Sequence, residues 1–165
     1  MTAIDDKRRT LPWLGAPVDT GAGSDEMAMP DGRGRARDFE HGSVYWTPEH
    51  GAHEVHGAIR MKWAELGGHR GVLGYPVSDE SPCGPGAGRF NHFEGGSIYW
   101  REDIGAHEVH GPIRDAWAKM GWQDSRLGYP VTDVGGSRER QASTFQHGTI
   151  TWTPSGGAVV GGMID

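Results

Sequence analysis

Apolar and polar residues follow two alternating patterns along the chain. One pattern is a cluster of β-branched and aromatic residues, as in Ser43-Val-Tyr-Trp46 and Ser97-Ile-Tyr-Trp100, which is typical of half-buried β-strands. Between such segments, apolar residues recur at steps of four, four and three, the spacing of one stripe on an α-helix. The two stripes comprise Val55, Ile59, Trp63 and Leu66, and then Val109, Ile113, Trp117 and Met120. The chain is therefore predicted to mix strands with short amphipathic helices.

Three segments share the strand pattern and predict three β-hairpins. They are Phe39–Trp46, Phe93–Trp100 and Phe145–Trp152, each with glycine at the turn. Because side chains alternate along a strand, each tryptophan and the tyrosine beside it face opposite sides. The third segment has Thr151 in place of tyrosine, which indicates that the tyrosine side is free. We expect the core side to carry Val44 with Trp46, Ile98 with Trp100, and Ile150 with Trp152.

The helical stripes are expected to pack on these hairpins. Pro112 has no amide proton and is tolerated only in a first turn, so the second helix is predicted to begin near Gly111. Gly67-Gly68 and Gly121 are predicted to end the two helices in the left-handed conformation. Helices of about three turns are marginal alone. We therefore expect the four most regular stripe residues to be structural core: Ile59, Trp63, Ile113 and Trp117.

A long cassette, residues 51–76, returns almost unchanged as residues 105–130. Both copies open with Gly-Ala-His-Glu-Val-His-Gly and close with Leu-Gly-Tyr-Pro-Val, and such self-similarity at a fixed period predicts a repeat fold. The expected class is α+β, with three pseudo-equivalent units, each a hairpin plus a Leu-Gly-x-Pro turn, and short tryptophan-bearing helices between them. The units, over residues 13–66, 73–120 and 127–160, are expected to form one domain, with residues 1–12 as a loose tail.

Composition narrows the functional classes. The 165 residues carry a net charge of −6, which argues against a nucleic-acid surface because phosphate binding needs a basic face. The single cysteine, Cys83, excludes an intrachain disulfide and is interpreted as an incidental loop thiol. No apolar run reaches the length of a signal-peptide core or a membrane span. The chain as written is expected to stay in the cytoplasm or to be a domain of an exported protein.

The duplicated His-Glu-Val-His is a candidate for metal chemistry. A zinc-protease helix carries His-Glu-x-x-His, whereas the spacing here is one residue shorter and glycine follows, so that motif is not matched. The four histidines remain weak metal candidates, the alternative being hydrogen bonds to the hairpin turn: His53, His56, His107 and His110. Catalytic residues are usually singular, but nearly every candidate here is copied, so we predict a non-enzyme without a cofactor.

The closing motifs, Leu73-Gly-Tyr-Pro-Val and Leu127-Gly-Tyr-Pro-Val, resemble those of the LGFP-repeat proteins, which are named for Leu-Gly-Phe-Pro. The Val-x-Gly-x-Ile-x-x-x-Trp pattern and the Phe-x-x-Gly-x-Ile-x-Trp hairpin extend the resemblance over residues 36–152, and Leu14-Gly-Ala-Pro is a degenerate first copy. The resemblance implies a non-catalytic module of actinobacterial cell-envelope or secreted proteins, one that holds enzymes to the arabinogalactan–peptidoglycan wall.

A cell-wall polysaccharide is therefore the partner that the resemblance implies, without membrane insertion. Sugar sites commonly use exposed aromatic rings beside polar groups. The candidate rings are Tyr45 and Tyr99, opposite the strand tryptophans, and Tyr75 and Tyr129 of the closing motifs; alternatively, these tyrosines cover the seams between units. The alternative function is a protein-interaction or assembly module that binds a partner protein, as a monomer or a homodimer.

Overall fold

The computed structural model describes residues 2–18, 26–84 and 87–162. The chain forms two compact units, the first comprising Met1–Ser81 with Asn91–Glu94 and the second Pro82–Phe90 with Gly95–Asp165. Each unit is described below by its own contacts.

Three four-stranded antiparallel sheets, one for each predicted hairpin, confirm the α+β repeat architecture. The first sheet contains β1 (Met27–Ala28), β2 (Arg35–Phe39), β3 (Gly42–Thr47) and β4 (Gly51–Val55) in that order. The second contains β5 (Ser81–Pro82), β6 (Arg89–His92), β7 (Gly96–Arg101) and β8 (Gly105–His110). The third contains β9 (Gly135–Gly136), β10 (Gln141–Phe145), β11 (Gly148–Thr153) and β12 (Gly157–Gly161).

Three short α-helices accompany the sheets in the described part of the chain: α1 (Ala3–Thr10), α2 (Gly57–Glu65) and α3 (Gly111–Met120). The first residues of α2 and α3 are glycines with φ angles of 57° and 63°, which turn the chain from strand into helix. The start of α3 confirms the expectation based on Pro112. Gly67 and Gly121 follow the helix ends in the left-handed conformation, as predicted.

The segments before α2 and α3 are β-strands, so the prediction that Val55 and Val109 open the helical stripes is wrong. Both valines are fully buried in the last strand of their sheets, β4 and β8. In the first sheet, Val55 lies opposite Ser43, and this third long strand satisfies backbone groups that a two-stranded hairpin would leave open. The helical stripes thereby lose their first residue, and Ile59, Trp63, Ile113 and Trp117 are buried as expected. Met120, the last residue of α3, packs against the same core as Ile113 and Trp117.

The tyrosine side of the first two hairpins is covered, and the expectation of a free side is wrong. The Trp63 ring of α2 meets the Tyr45 ring edge-on with centroids 4.7 Å apart, and Trp117 of α3 meets Tyr99 at the same distance. The opposite side buries three β-branched residues fully but three tryptophans only in part: Val44, Ile98 and Ile150, and Trp46, Trp100 and Trp152. The helix tryptophans thus pack on the side that was expected to be exposed.

The amino-terminal residues form helix α1, which corrects the prediction of a loose tail over residues 1–12. Thr2 and Asp5 make a capping box at the helix start, each side chain accepting a backbone N–H of the other residue. Ile4 is buried against Leu14 and Val44 in the core of the first sheet. This apolar contact holds α1 against the sheet. The mostly polar composition of residues 1–12 did not predict it.

The Leu-Gly-x-Pro turn docks on its hairpin in the same way in every repeat, through backbone bridges between Pro17 and Phe39, Pro76 and Phe93, and Pro130 and Phe145. In the first unit, the Tyr75 N–H donates to Glu94 Oε1 (3.0 Å) and the Glu94 N–H donates to the Tyr75 carbonyl (2.9 Å). The Trp63 indole N–H donates to the Gly74 carbonyl (3.0 Å), so helix, turn and hairpin are joined at one point.

Helix α3 has apolar contacts on two sides within the second unit. Trp117 contacts Tyr99 of the second sheet and lies 5.3 Å from the Phe145 ring, in a core that includes Ile150 of the third sheet. The other side of the third sheet carries Thr151 opposite Val159, and Val159 is exposed. None of the helices in the described part of the chain combines the length and the hydrophobicity needed to cross a membrane.

Candidate functional site

The first histidine of each His-Glu-Val-His joins the hairpin end to the Leu-Gly-Tyr-Pro segment that opens the next repeat. His53 Nε2 lies 2.7 Å from the His50 carbonyl and Nδ1 lies 3.1 Å from Asp79 Oδ1. Burial alone would raise the pKa of Asp79, but hydrogen bonds from His53 and Lys7 outweigh it and hold that pKa at about 2. His107 repeats the arrangement, with Nδ1 3.4 Å from Asp133 Oδ1. These two histidines therefore bond a hairpin turn, the alternative considered from the sequence.

The glutamate of each motif is buried and ties the second histidine to the same closing segment. Glu54 Oε1 accepts the Glu80 N–H (2.9 Å), and Glu54 Oε2 lies 2.7 Å from His56 Nδ1. In the second repeat, Glu108 makes the corresponding contacts with the Val134 N–H (2.9 Å) and His110 Nδ1 (2.7 Å). Each histidine pair is thus engaged by the glutamate of its own motif and by the segment that opens the next repeat.

The first His-Glu-Val-His motif meets a second carboxylate at this point, which the sequence pattern did not predict. Glu80 Oε2 lies 2.9 Å from His56 Nδ1, whereas the second repeat has Val134 at the matching position. Burial alone would lower the pKa of His56, but its hydrogen bonds to Glu54 and Glu80 raise it to about 9. The signal in the sequence was the contrast between Asp79-Glu80 and Asp133-Val134 in otherwise matching motifs.

The four candidate tyrosines are packed rather than exposed. Tyr75, Tyr99 and Tyr129 have 0%, 3% and 6% of their surface exposed, and Tyr45 is partly buried against Trp63. The Tyr75 hydroxyl donates to the Asp31 carboxylate (2.9 Å), and the Tyr129 hydroxyl accepts the Gly88 N–H (3.0 Å). The expectation that these rings offer open faces to a sugar is wrong, because each repeat uses them as packing surface.

The partly buried tryptophan of the first sheet borders a shallow open depression. Trp46 lies directly opposite Arg35 on the neighbouring strand, and Thr2, Ala3, Ile4 and Glu26 complete the lining. The Arg35 guanidinium donates to Glu26 Oε2 (2.9 Å). The Trp46 indole thus lies beside an arginine and a glutamate that hydrogen-bond to each other.

The second sheet has a depression at the equivalent tryptophan. Trp100 lines it together with Ala87, Arg101, Glu102 and Asp103, and the Arg101 guanidinium lies 2.9 Å from Asp103. A third depression, lined by residues 132–142, includes Gln141, which lies opposite Trp152. The sequence analysis placed these tryptophans in the core and missed their charged neighbours, although the arginine beside Trp100 was a local signal.

Comparison with known proteins agrees with the internal repeats. A family model described as the LGFP repeat matches residues 14–71, 73–125 and 127–164. Each match begins at the leucine of a Leu-Gly-x-Pro turn and includes the sheet that follows. No curated protein matches the chain. Because the three matches span most of its length, the chain belongs to the LGFP-repeat family.

Proposed function

We propose that this chain is a non-catalytic binding module that attaches to a cell-wall polysaccharide through its strand tryptophans. The supporting observation is the recurrence of a partly buried tryptophan beside an open depression that has an arginine in its lining. The resemblance to LGFP-repeat proteins suggests the ligand class, an arabinogalactan–peptidoglycan wall. The binding residues differ from the tyrosines expected from the sequence.

The surroundings of Trp46 suit a sugar in two respects. The apolar C–H face of a furanose or pyranose ring can pack on the exposed part of the indole. Arg35, whose side chain is 47% exposed, offers N–H donors for the hydroxyl groups beside that face, while Glu26, which is only 7% exposed, holds the guanidinium in place. Such a depression is open enough for a chain that continues past it in both directions.

Trp100 provides the same combination in the second sheet. Arg101 supplies donors, while Glu102 and Asp103 supply acceptors at the rim of the depression. Two weak sites that recognise the same kind of sugar bind a polymeric ligand with a higher overall affinity than either site alone. The reason is that the second contact becomes intramolecular once the first has formed. A repetitive glycan is therefore a better ligand than a short oligosaccharide.

Co-sedimentation with insoluble actinobacterial cell walls, untreated or stripped of arabinogalactan, tests the proposal. We expect the wild-type chain to sediment with untreated walls, and to do so less with stripped walls. The variant Arg35→Ala with Arg101→Ala should lose most of this binding while keeping its fold, because both side chains are exposed at 47% and 42%. Tyr75→Phe is the matched control and should bind like the wild type.

Binding should also persist at raised salt, since hydrogen bonds and ring packing are screened less than charge attraction. Retention by neither wall preparation would refute the proposal and leave the protein-interaction module as the function to pursue. Retention that is unchanged in the double arginine variant would exclude the two depressions as the binding sites.

A further inference from the structure

Three side chains with metal-binding atoms meet in the first unit, and nothing in the proposed glycan function uses them. Glu54 lies on β4, His56 immediately precedes α2, and Glu80 immediately precedes β5. One ligand atom from each lies within 4.8 Å of the other two. We propose that Glu54, His56 and Glu80 form a binding site for a divalent transition-metal ion of the Zn²⁺ type.

Burial distinguishes this group from a surface cluster of acids. The side chains of Glu54 and Glu80 are exposed at only 3% and 6%, whereas His56 is exposed at 26%. The carboxylates are therefore shielded from water, and the imidazole edge leaves a route by which an ion can enter. Three protein ligands with one position open to solvent is an established arrangement for Zn²⁺.

The ligand atoms need only small movements to accept an ion. His56 Nδ1 is 2.7 Å from Glu54 Oε2 and 2.9 Å from Glu80 Oε2. Around a tetrahedral Zn²⁺ with bonds of about 2.1 Å, such atoms lie about 3.4 Å apart. The two histidine–carboxylate pairs need to open by roughly 0.5–0.7 Å, and the ion then replaces the proton that the three groups share.

Neighbouring contacts already hold two of the ligands in place. Glu54 Oε1 accepts the Glu80 backbone N–H, which orients the carboxylate so that Oε2 faces the histidine. The Trp13 ring lies 4.5 Å from the His56 ring and restricts its rotation. Contacts of this kind, one shell beyond the ligands, fix the orientation that metal binding requires.

The second repeat provides a control within the same chain. Glu108 and His110 reproduce the pair at 2.7 Å, but Val134 replaces the third ligand. Two ligands hold an ion much more weakly than three, so the first repeat alone should bind tightly. The variant Val134→Glu should create a second site.

Titration of the purified full chain with ZnCl₂ against a chromogenic chelator tests the site. We expect about one tightly bound Zn²⁺ in the wild type, loss of that ion in Glu80→Val, and about two ions in Val134→Glu. Glu80→Val reproduces the arrangement of the second repeat, so it should fold, and it keeps every histidine, so any background binding is measured directly. The unfolding temperature of the wild type should rise with Zn²⁺ and that of Glu80→Val should not.

Absence of tight binding in the wild type would overturn the proposal. Equal binding by the wild type and Glu80→Val would also overturn it, because the ion would then be held by histidines elsewhere. Both outcomes are independent of glycan binding, which is measured on the arginine variants.

Discussion

The contact between the Leu-Gly-x-Pro turn and its hairpin can be tested by adding a single methyl group at Gly74. This glycine has a φ of 70°, and a methyl group there would lie 2.7 Å from Glu94 Oε1, the atom that accepts the Tyr75 N–H. Gly51 is the matched control, because its φ is 76° and an added methyl group would meet nothing within 4 Å. Both glycines lie in the first unit.

The expected magnitudes follow from these two environments. A left-handed conformation costs a non-glycine residue about 1–2 kcal/mol, and alanine recovers about 0.4–1 kcal/mol by restricting the unfolded chain. Gly51→Ala should therefore destabilise by about 1 kcal/mol. Gly74→Ala carries the same cost and also displaces the Glu94 carboxylate from the Tyr75 N–H, a charge-assisted bond worth about 1.5–3 kcal/mol. Its total cost should be about 2.5–4 kcal/mol.

Urea unfolding followed by tryptophan fluorescence gives the free energies, and a double-mutant cycle with Glu94→Ala identifies the source of the cost. Once the carboxylate is removed, Gly74→Ala should cost little more than Gly51→Ala, since only the residue-94 Cβ remains close, at 3.2 Å. Equal effects of the two glycine substitutions in the wild type would refute the reasoning. So would an extra cost at Gly74 that persists without the carboxylate.

Two further predictions concern the same framework. In urea unfolding, Trp117→Ala should destabilise the protein by about 3–5 kcal/mol because a fully buried side chain is removed. Trp117→Phe should destabilise it by about 1–3 kcal/mol because the Gly128 carbonyl loses its indole N–H donor. Similar losses in the two variants would contradict this prediction. The hydrogen bond from Arg33 lowers the pKa of Glu94 from 4.5 to about 2, so its stabilisation is present above pH 4.5 and disappears as pH falls through 2. After solvent screening we expect the stability lost on acidification to be roughly 1 kcal/mol. This loss should be absent in Glu94→Gln. An identical acid response in that variant would exclude the ion pair as its cause.

The repeat pattern predicted the fold and the burial of Val44, Ile98 and Ile150, but it did not predict that the tyrosine side is covered as well. Alternation shows that Tyr99 and Trp100 face opposite sides, but it does not show which side a helix covers. Thr151 was a poor guide because, in the described part of the chain, no helix follows the third sheet to pack on that side. Val55 was assigned to the helix because residues four positions apart share a face in a strand as well as in a helix. Only the positive φ of Gly57 separates the two elements.

The site was harder to predict than the fold. Glu54 and Glu80 lie 26 positions apart and meet only because the closing segment docks in one register. His56 was a candidate from the sequence motif alone, but which carboxylates contact it depends on that register. The same limit applies to Trp46, whose partial burial depends on how α1 and Arg35 lie beside it.

The position of α3 determines where the chain can gain or lose a repeat without loss of packing. The segment that is copied runs from a Leu-Gly-x-Pro turn to a helix, yet Trp117 completes its packing with Phe145, which belongs to the following copy. The unit of duplication is therefore not the unit of folding. A gene that gains or loses a whole copy at the turn keeps the contact between each helix and the next sheet, whereas a cut inside α3 disrupts the helix that packs Trp117 against Phe145.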